Sequence, residues 1–350
     1  MSLRTRALPL VAWLLVFPEL HSQQIAVRVG EEFSNYFSFQ KTIRLSAPSL
    51  APLSSPCPCA VTKSGDLFIA DKLSAVVRQY SNHKFVRSFG GKGAGPGEFR
   101  SIFSLAVDTS MIYVLDPMAR RMNRLTLAGR FLSSFPIPDG RDLRIASTGE
   151  IIIAAPLIES PTRSSCIQIY SSTGKLIRSF FPLEEIVLKN KMLADNVVLD
   201  IDSKNIIYAC QESRYRIMKF DLSGNLLKVI EPTNKRFRPI PSKVFEDFYS
   251  KDAIRSWFES WDQVVGLHVI ADKIILVALH TTRPRKFMID IYDTEGKTLR
   301  SGMATDLRLL CTDSQGKVYF LKHTEKEHDV ELTLEQYLLT PRLLSSRQKD

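Results

Sequence analysis

Phe89-Gly90-Gly91-Lys92-Gly93-Ala94-Gly95-Pro96-Gly97-Glu98-Phe99 places five of the chain's sixteen glycines within eight residues, between two phenylalanines. A phosphate cradle needs G-x-x-x-x-G-K-[ST] or G-x-G-x-x-G, and neither can be drawn through this stretch. No helix-period pattern follows it, so no helix N-terminus is at hand to hold an anion. It reads as a long connector that ends one β unit and opens the next, with Phe89 and Phe99 as anchors.

The units on either side repeat. A short apolar strand pattern recurs six times after a turn signal, at Gly65–Asp71, Ser110–Asp116, Gly149–Ala155, Asn205–Gln211, Asp272–Ala278 and Gly316–Lys322. A second strand pattern precedes each: Ala60–Thr62, Ser104–Asp108, Leu143–Ala146, Val197–Ile201, Val264–Ile270 and Leu307–Cys311. After each of the first five pairs comes another hairpin, clearest in Tyr170–Phe180, where Gly174 supplies the positive φ of a tight turn. Its relatives are Leu125–Phe135, Phe220–Ile230 and Tyr292–Ser301, whereas Tyr80–Phe89 is one residue shorter and lacks the glycine.

Four strands per unit at roughly 40–50 residues is the pattern of an all-β six-bladed β-propeller. The sixth unit has three strand patterns after Leu307, the last near Val330–Leu334. A ring with an open edge would leave backbone donors and acceptors unpaired. The N-terminal strand pattern Phe37–Leu45 is the segment expected to close it. Glu184–Asp195 falls outside the repeat as a short helix or loop. Glu231–Trp261 carries Phe245, Phe248, Tyr249, Ile254, Trp257, Phe258 and Trp261 at helical spacing. That predicts a helical insertion over about 231–261, between blades four and five, laid on the disc by its aromatic face or serving as a lid or docking element.

At 350 residues and 44% hydrophobic content, the chain can bury roughly 75% of its unfolded surface. Residues 1–22 stand apart. Arg4 and Arg6, the apolar run Ala7–Phe17 and then Pro18–Ser22 follow the order of a secretory signal, with a retained anchor or a buried N-terminal helix as the alternative. No later apolar stretch approaches 18 residues, so no stable membrane insertion is expected once the signal is removed. Residues 23–350 then form one propeller domain, periplasmic or secreted and monomeric. The formal charge of +10 favours anionic partners, and export argues against nucleic acid among them.

The five cysteines are Cys57, Cys59, Cys166, Cys210 and Cys311. Cys57-Pro58-Cys59 is too short for a redox or zinc C-x-x-C. The other three sit in apolar strand patterns as small hydrophobes do. No disulfide framework is expected.

Ile69-Ala70-Asp71, Val77-Arg78-Gln79-Tyr80, Phe85-Val86-Arg87-Ser88-Phe89-Gly90 and Gly93-Ala94-Gly95-Pro96-Gly97-Glu98-Phe99 together resemble an NHL repeat. Asp116 and Arg121 match that family's Asp and Arg in blade two. Arg216 matches in blade four, where Gln211 replaces the Asp, and Ala155 and Cys166 depart from the pattern in blade three. The resemblance is sharp over 57–135 and covers the rest in layout, which is also similar to exported bacterial six-bladed propellers of unassigned function. It implies that each Asp–Arg pair bridges its hairpin.

Propeller enzymes of similar layout, the gluconolactonase-type lactonases and the peptidylglycine lyase, hold a metal over the channel. Here Asp108, Asp202 and Asp313 end inner strands in turn-capping positions. His268 is the one histidine in an inner-strand pattern, too few for a three-ligand zinc site. His83, His280, His323 and His328 fall in turns or outer segments. No Gly-x-Ser-x-Gly elbow or Ser/His/Asp set is present. The chain therefore reads as a non-enzyme with no catalytic, metal or cofactor residues. The loops between second and third strands gather at one end of the disc and carry Lys72, Arg120, Arg121, Arg214, Arg216, His280, Arg283 and Arg285. The candidate binding residues are Arg120, Arg121, Arg214, Arg216, Arg283 and Arg285, facing a protein or an anionic polysaccharide, with a merely solvated rim as the plain alternative. A metal-dependent hydrolase or lyase, and an RNA-binding NHL propeller should the signal go unused, are the competing functions.

Overall fold

The computed structural model describes residues 31–45, 53, 56–155, 165–182, 196–242, 245, 250–281, 286–326, 329–340 and 343. The expected signal at 1–22 and the stretch Glu184–Asp195 lie outside the described residues.

Six four-stranded antiparallel sheets form the blades. Blade one is β2 (Pro56–Val61), β3 (Leu67–Asp71), β4 (Val76–Ser81) and β5 (Lys84–Gly90). Blade two is β6 (Ser104–Val107), β7 (Met111–Asp116), β8 (Arg121–Thr126) and β9 (Phe131–Pro136). Blade three is β10 (Asp142–Ile145), β11 (Ile151–Ala154), β12 (Ser165–Tyr170) and β13 (Leu176–Pro182), and blade four is β14 (Val197–Ile201), β15 (Ile207–Gln211), β16 (Ile217–Phe220) and β17 (Leu226–Ile230). Blade five is β18 (Gln263–Ile270), β19 (Ile274–His280), β20 (Phe287–Asp293) and β21 (Thr298–Thr305). Blade six combines β22 (Arg308–Thr312), β23 (Lys317–Lys326) and β24 (Asp329–Leu339) with the N-terminal β1 (Phe37–Arg44). As the sequence requires, β1 closes the ring, pairing antiparallel with β24 from Phe37↔Leu339 to Arg44↔Thr333. Phe33 stacks on Phe37 and meets Phe320 and Tyr337 edge-on, fixing the closing strand.

Second strands such as β3, β11 and β15 are buried at every position. Each blade is packed face to face between two others, so these strands are apolar runs without alternation, as any strand covered on both faces must be. The core is accordingly divided between neighbouring blades. Phe68, Val77, Ile112 and Val114 fill the space between blades one and two with Phe99 and Ile102 of the glycine connector. Leu276, Ile289, Val318 and Phe320 do the same between blades five and six.

Between blades four and five lies the expected helix, α1 (Lys251–Glu259), capped by Ser250, whose Oγ accepts from the Ala253 amide at 3.1 Å. Its aromatic side makes a small cluster within the insertion itself: Trp257 against Phe258, Trp261 and Phe245, with Ile240 alongside. Arg238 holds the end of the insertion through the Asp262 carboxylate at 2.6 Å, and Asn234 donates to Asp290 at 2.9 Å. Among the described residues no helix is long and apolar enough to cross a membrane.

One expectation fails. Cys59 on β2 and Cys311 on β22 form a disulfide with Cα atoms 5.9 Å apart, across a sequence separation of 252 residues. Ring closure sets the first and last inner strands side by side, a proximity that no spacing along the chain reveals. Cys166 and Cys210 are buried thiols within β12 and β15.

Candidate functional site at the channel mouth

The Asp–Arg pair of blade two does something other than bridge its own hairpin. Asp116 accepts from the amides of Arg100 and Ser101 at 2.9 and 3.2 Å and caps the short 3-10 turn through Ala119. Arg121 donates to the carbonyls of Ala94, Gly95 and Glu98 at 3.1, 3.4 and 2.8 Å. The two side chains, paired in register across β7 and β8, clamp the glycine connector between blades one and two. Within that connector Gly90 has φ +93° and lies against the Phe99 ring and the Ala75 carbonyl, where a Cβ would clash. Gly93 keeps a normal φ, and its missing side chain leaves room for the Glu98 carboxylate, which accepts from the Gly95 amide at 2.9 Å.

Of the other candidate cations, Arg120 sits exposed in the left-handed region at φ 54° and Arg214 is exposed in the corresponding loop of blade four. Arg216 is half-buried beside Tyr215, whose hydroxyl donates to Asp290 at 2.8 Å. Arg283 and Arg285 lie outside the described residues. The structure thus puts Arg120 and Arg214 in solvent on one face and Arg121 against the backbone of a connector.

Inside the channel, polar side chains run from blade to blade along the inner strands. Ser104 Oγ donates to Asp142 Oδ1 at 3.1 Å. Arg144 bridges Asp142 and Asp200, both at 2.7 Å. The edge amides of Leu199 and Val269 donate to Asp142 Oδ2 at 3.3 Å and Asp200 Oδ2 at 2.8 Å. An inner strand has no neighbour on its channel side, and these carboxylates supply the missing acceptors on the adjoining blade. His268 Nδ1 lies 4.0 Å from Asp200. Burial pushes its imidazole down to about 4; Asp200 and Asp142 oppose the shift and the Arg144 guanidinium reinforces it. Burial alone would lower Arg144 too, yet Asp142 and Asp200 raise it overall. Asp108, Asp202 and Asp313 each accept two amides of the following turn, and each also takes a tyrosine hydroxyl, from Tyr113, Tyr208 and Tyr319. Among the described residues no group of three or more His, Cys, Asp or Glu side chains converges as metal ligands would.

The mouth of the channel is formed where each connector enters an innermost strand. Phe103, Arg141, Asn196 and Asp262 immediately precede β6, β10, β14 and β18, and Arg308 opens β22. Lys72 Nζ from blade one lies 3.9 Å from the centre of the Phe103 ring, and the Arg141 guanidinium lies 4.4 Å from it. Burial lowers Arg141, with Asp139 and Glu212 pulling the other way. Glu212 accepts from Asn196 Nδ2 at 2.6 Å. Further round, burial and then Arg308 lower His280, against the Asp262 carboxylate. A cationic arc (Arg308, Lys72, Arg141) therefore spans blades six, one and three, with Glu212 of blade four beside Arg141 and Asp262 of blade five ion-paired with Arg238. Sequence reading found Lys72 and His280 but missed Phe103, Arg141 and Arg308. Aligning the six inner strands on their first residue is the signal that would have found them.

No family model matches the chain, and no curated protein matches it. Its fold is shared with solved structures. A member of the DUF4221 family from Bacteroides vulgatus superposes with a TM-score of 0.65 at 11% identity, over 88% of this chain and 99% of that one. A Bacteroides fragilis protein designated as exported gives 0.61 at 12%, over 86% and 94%. A gluconolactonase from Xanthomonas campestris gives 0.53 at 12%, over 89% and 93%. At these identities the likeness is one of fold: this chain is a six-bladed β-propeller similar to exported propellers of unassigned function and to lactonase propellers.

Proposed function

We propose that this chain is an exported, non-enzymatic binding propeller that holds a polyanion, an anionic polysaccharide or an acidic protein surface, at the channel mouth. The observation that carries the reading is the convergence of Lys72 and Arg141, from blades one and three, over the Phe103 ring of blade two. Arg308 continues the arc, and the exposed Arg120 and Arg214 extend it outward on the same face, with Arg216, Arg283 and Arg285 as the remaining basic residues of those loops. Cations from several blades around one opening focus the field on it and favour an anionic ligand. The channel carboxylates are already committed to neighbouring blades, and an imidazole held near 4 is a weak base at neutral pH, which supports binding over chemistry. The hydrolase or lyase alternative has no observation of its own beyond the shared fold. Export is supported by the charged-then-apolar order of residues 1–22, by the disulfide and by the designation of the Bacteroides fragilis relative.

The test is retention on a sulfated polysaccharide against uncharged dextran. Wild-type protein should bind the sulfated matrix at low salt and release as salt rises. Lys72→Glu, Arg120→Glu and Arg214→Glu combined should cost about tenfold or more in affinity, as removal of several charge contacts does. Equal retention of the triple variant at low salt overturns the reading.

A further inference from the structure

We infer that the Cys59–Cys311 disulfide is the inner half of a two-part latch on the propeller ring, and that the thiol state of this pair decides whether blade six stays shut against blade one. The N-terminal and C-terminal parts of the chain are joined twice. At the rim β1 lies on β24 through backbone hydrogen bonds. At the channel the sulfur–sulfur bond joins the innermost strand of blade one to that of blade six.

Ties at three of the other five blade junctions give the disulfide its meaning. Blades two and three are tied on the channel wall by Ser104 to Asp142. Blades three and four are tied by Arg144 to Asp200 and by the Leu199 amide to Asp142, and blades four and five by the Val269 amide to Asp200. Where blade six meets blade one, the corresponding inner-strand tie is covalent. This is also the junction whose strands are most distant along the chain, 252 residues apart, so it is the one at which a crosslink removes the most freedom from the open ring. The pair is buried, Cys59 at 9% and Cys311 at 5% exposure, so its reduction requires the junction to part.

The chemistry is two-electron thiol–disulfide exchange. A dithiol reductant attacks one sulfur as thiolate, the Cys59–Cys311 bond breaks, and two cysteine thiols form as the reductant leaves as its own disulfide. Oxidation by a disulfide-bearing oxidant runs the same exchange in reverse. In an oxidising compartment the latch is shut, and in a reducing one the β1–β24 hydrogen bonds and the apolar packing of blade six on blade one hold the ring without a covalent tie. Blades six and one also supply Arg308 and Lys72, but the latch itself does not depend on any ligand.

Hydrogen exchange read by mass spectrometry tests this, comparing oxidised protein, protein reduced with a phosphine or dithiol, and the double variant Cys59→Ala/Cys311→Ala. Thiol counting comes first, because oxidised protein that has not lost the two thiols of this pair overturns the assignment outright. With the bond open, exchange should quicken in β1, β2 and β22 to β24 and stay unchanged in β6 to β17. The thermal midpoint should fall by about 5–10 °C, and the double variant should show the same values with or without reductant. Unchanged exchange, or acceleration spread evenly over all six blades, would refute the latch.

Discussion

His268 faces Asp200, Arg144 and Asp142 in the channel wall and stays neutral because charging it there would strip its hydration. Its folded-state value lies below the ordinary one near 6.5, so the unfolded chain takes up the proton first. Stability should therefore be complete above about pH 6.5 and decline as the pH falls towards 4, by an amount on the order of 3 kcal/mol. Denaturant titrations between pH 7 and 4 should show that loss in the wild type, and His268→Gln should lack this component of it. A second residue-scale prediction concerns Gly174, which has φ +90° and lies against the ring of Phe135 on the preceding blade. Gly149 has a similar φ of +94° but open space around it. Gly149→Ala should cost about 1 kcal/mol for the backbone alone, and Gly174→Ala about 1–3 kcal/mol more for the ring it displaces. Thermal midpoints of the two variants side by side separate the contributions.

The same glycine explains an irregularity of the elements. In blades two to five the turn between third and fourth strands packs its glycine on an outer-strand side chain of the blade before: Gly129 on Phe89, Gly174 on Phe135, Gly224 on Phe180 and Gly296 on Ile230. Blade one follows β1, which offers Lys41 instead of a large apolar group, and its turn carries Asn82 and His83 in the left-handed region, with Lys41 Nζ 3.2 Å from His83 Nδ1. The missing glycine in Tyr80–Phe89 therefore reflects the closing strand. Arg121 is the element-scale counterpart. Arg121→Ala removes the charged donor from three connector carbonyls, of which Gly95 keeps the Glu98 amide, and should lower stability by about 1–2 kcal/mol, whereas Arg120→Ala next to it should be neutral within about 0.5 kcal/mol. Urea midpoints measure both. The Asp116 and Arg121 positions were legible in the sequence, but their partners were not. Those partners are backbone atoms of a connector that precedes them by 15 to 27 residues, and backbone atoms carry no residue signature.

At the scale of the molecule, blade number, strand order and the closing strand were readable because sandwiched strands must be apolar throughout and turns must recur. The Cys59–Cys311 pair was unreadable, since each cysteine looks like any small buried hydrophobe until the ring brings the two together. The mouth was half-readable: Lys72 and Arg120 announce themselves by lying in loops, while Arg141 and Arg308 depend on the exact residue at which a connector becomes a strand. Ring closure by β1 has one more consequence, and it concerns time. A chain that emerges N-terminus first presents Phe37–Arg44 before every other blade strand and Asp329–Leu339 after all of them. Blades one to five can each be completed in turn as they appear, but the first strand stays unpaired until the last strand of blade six is out, so closure is the final and longest-range contact of the ring.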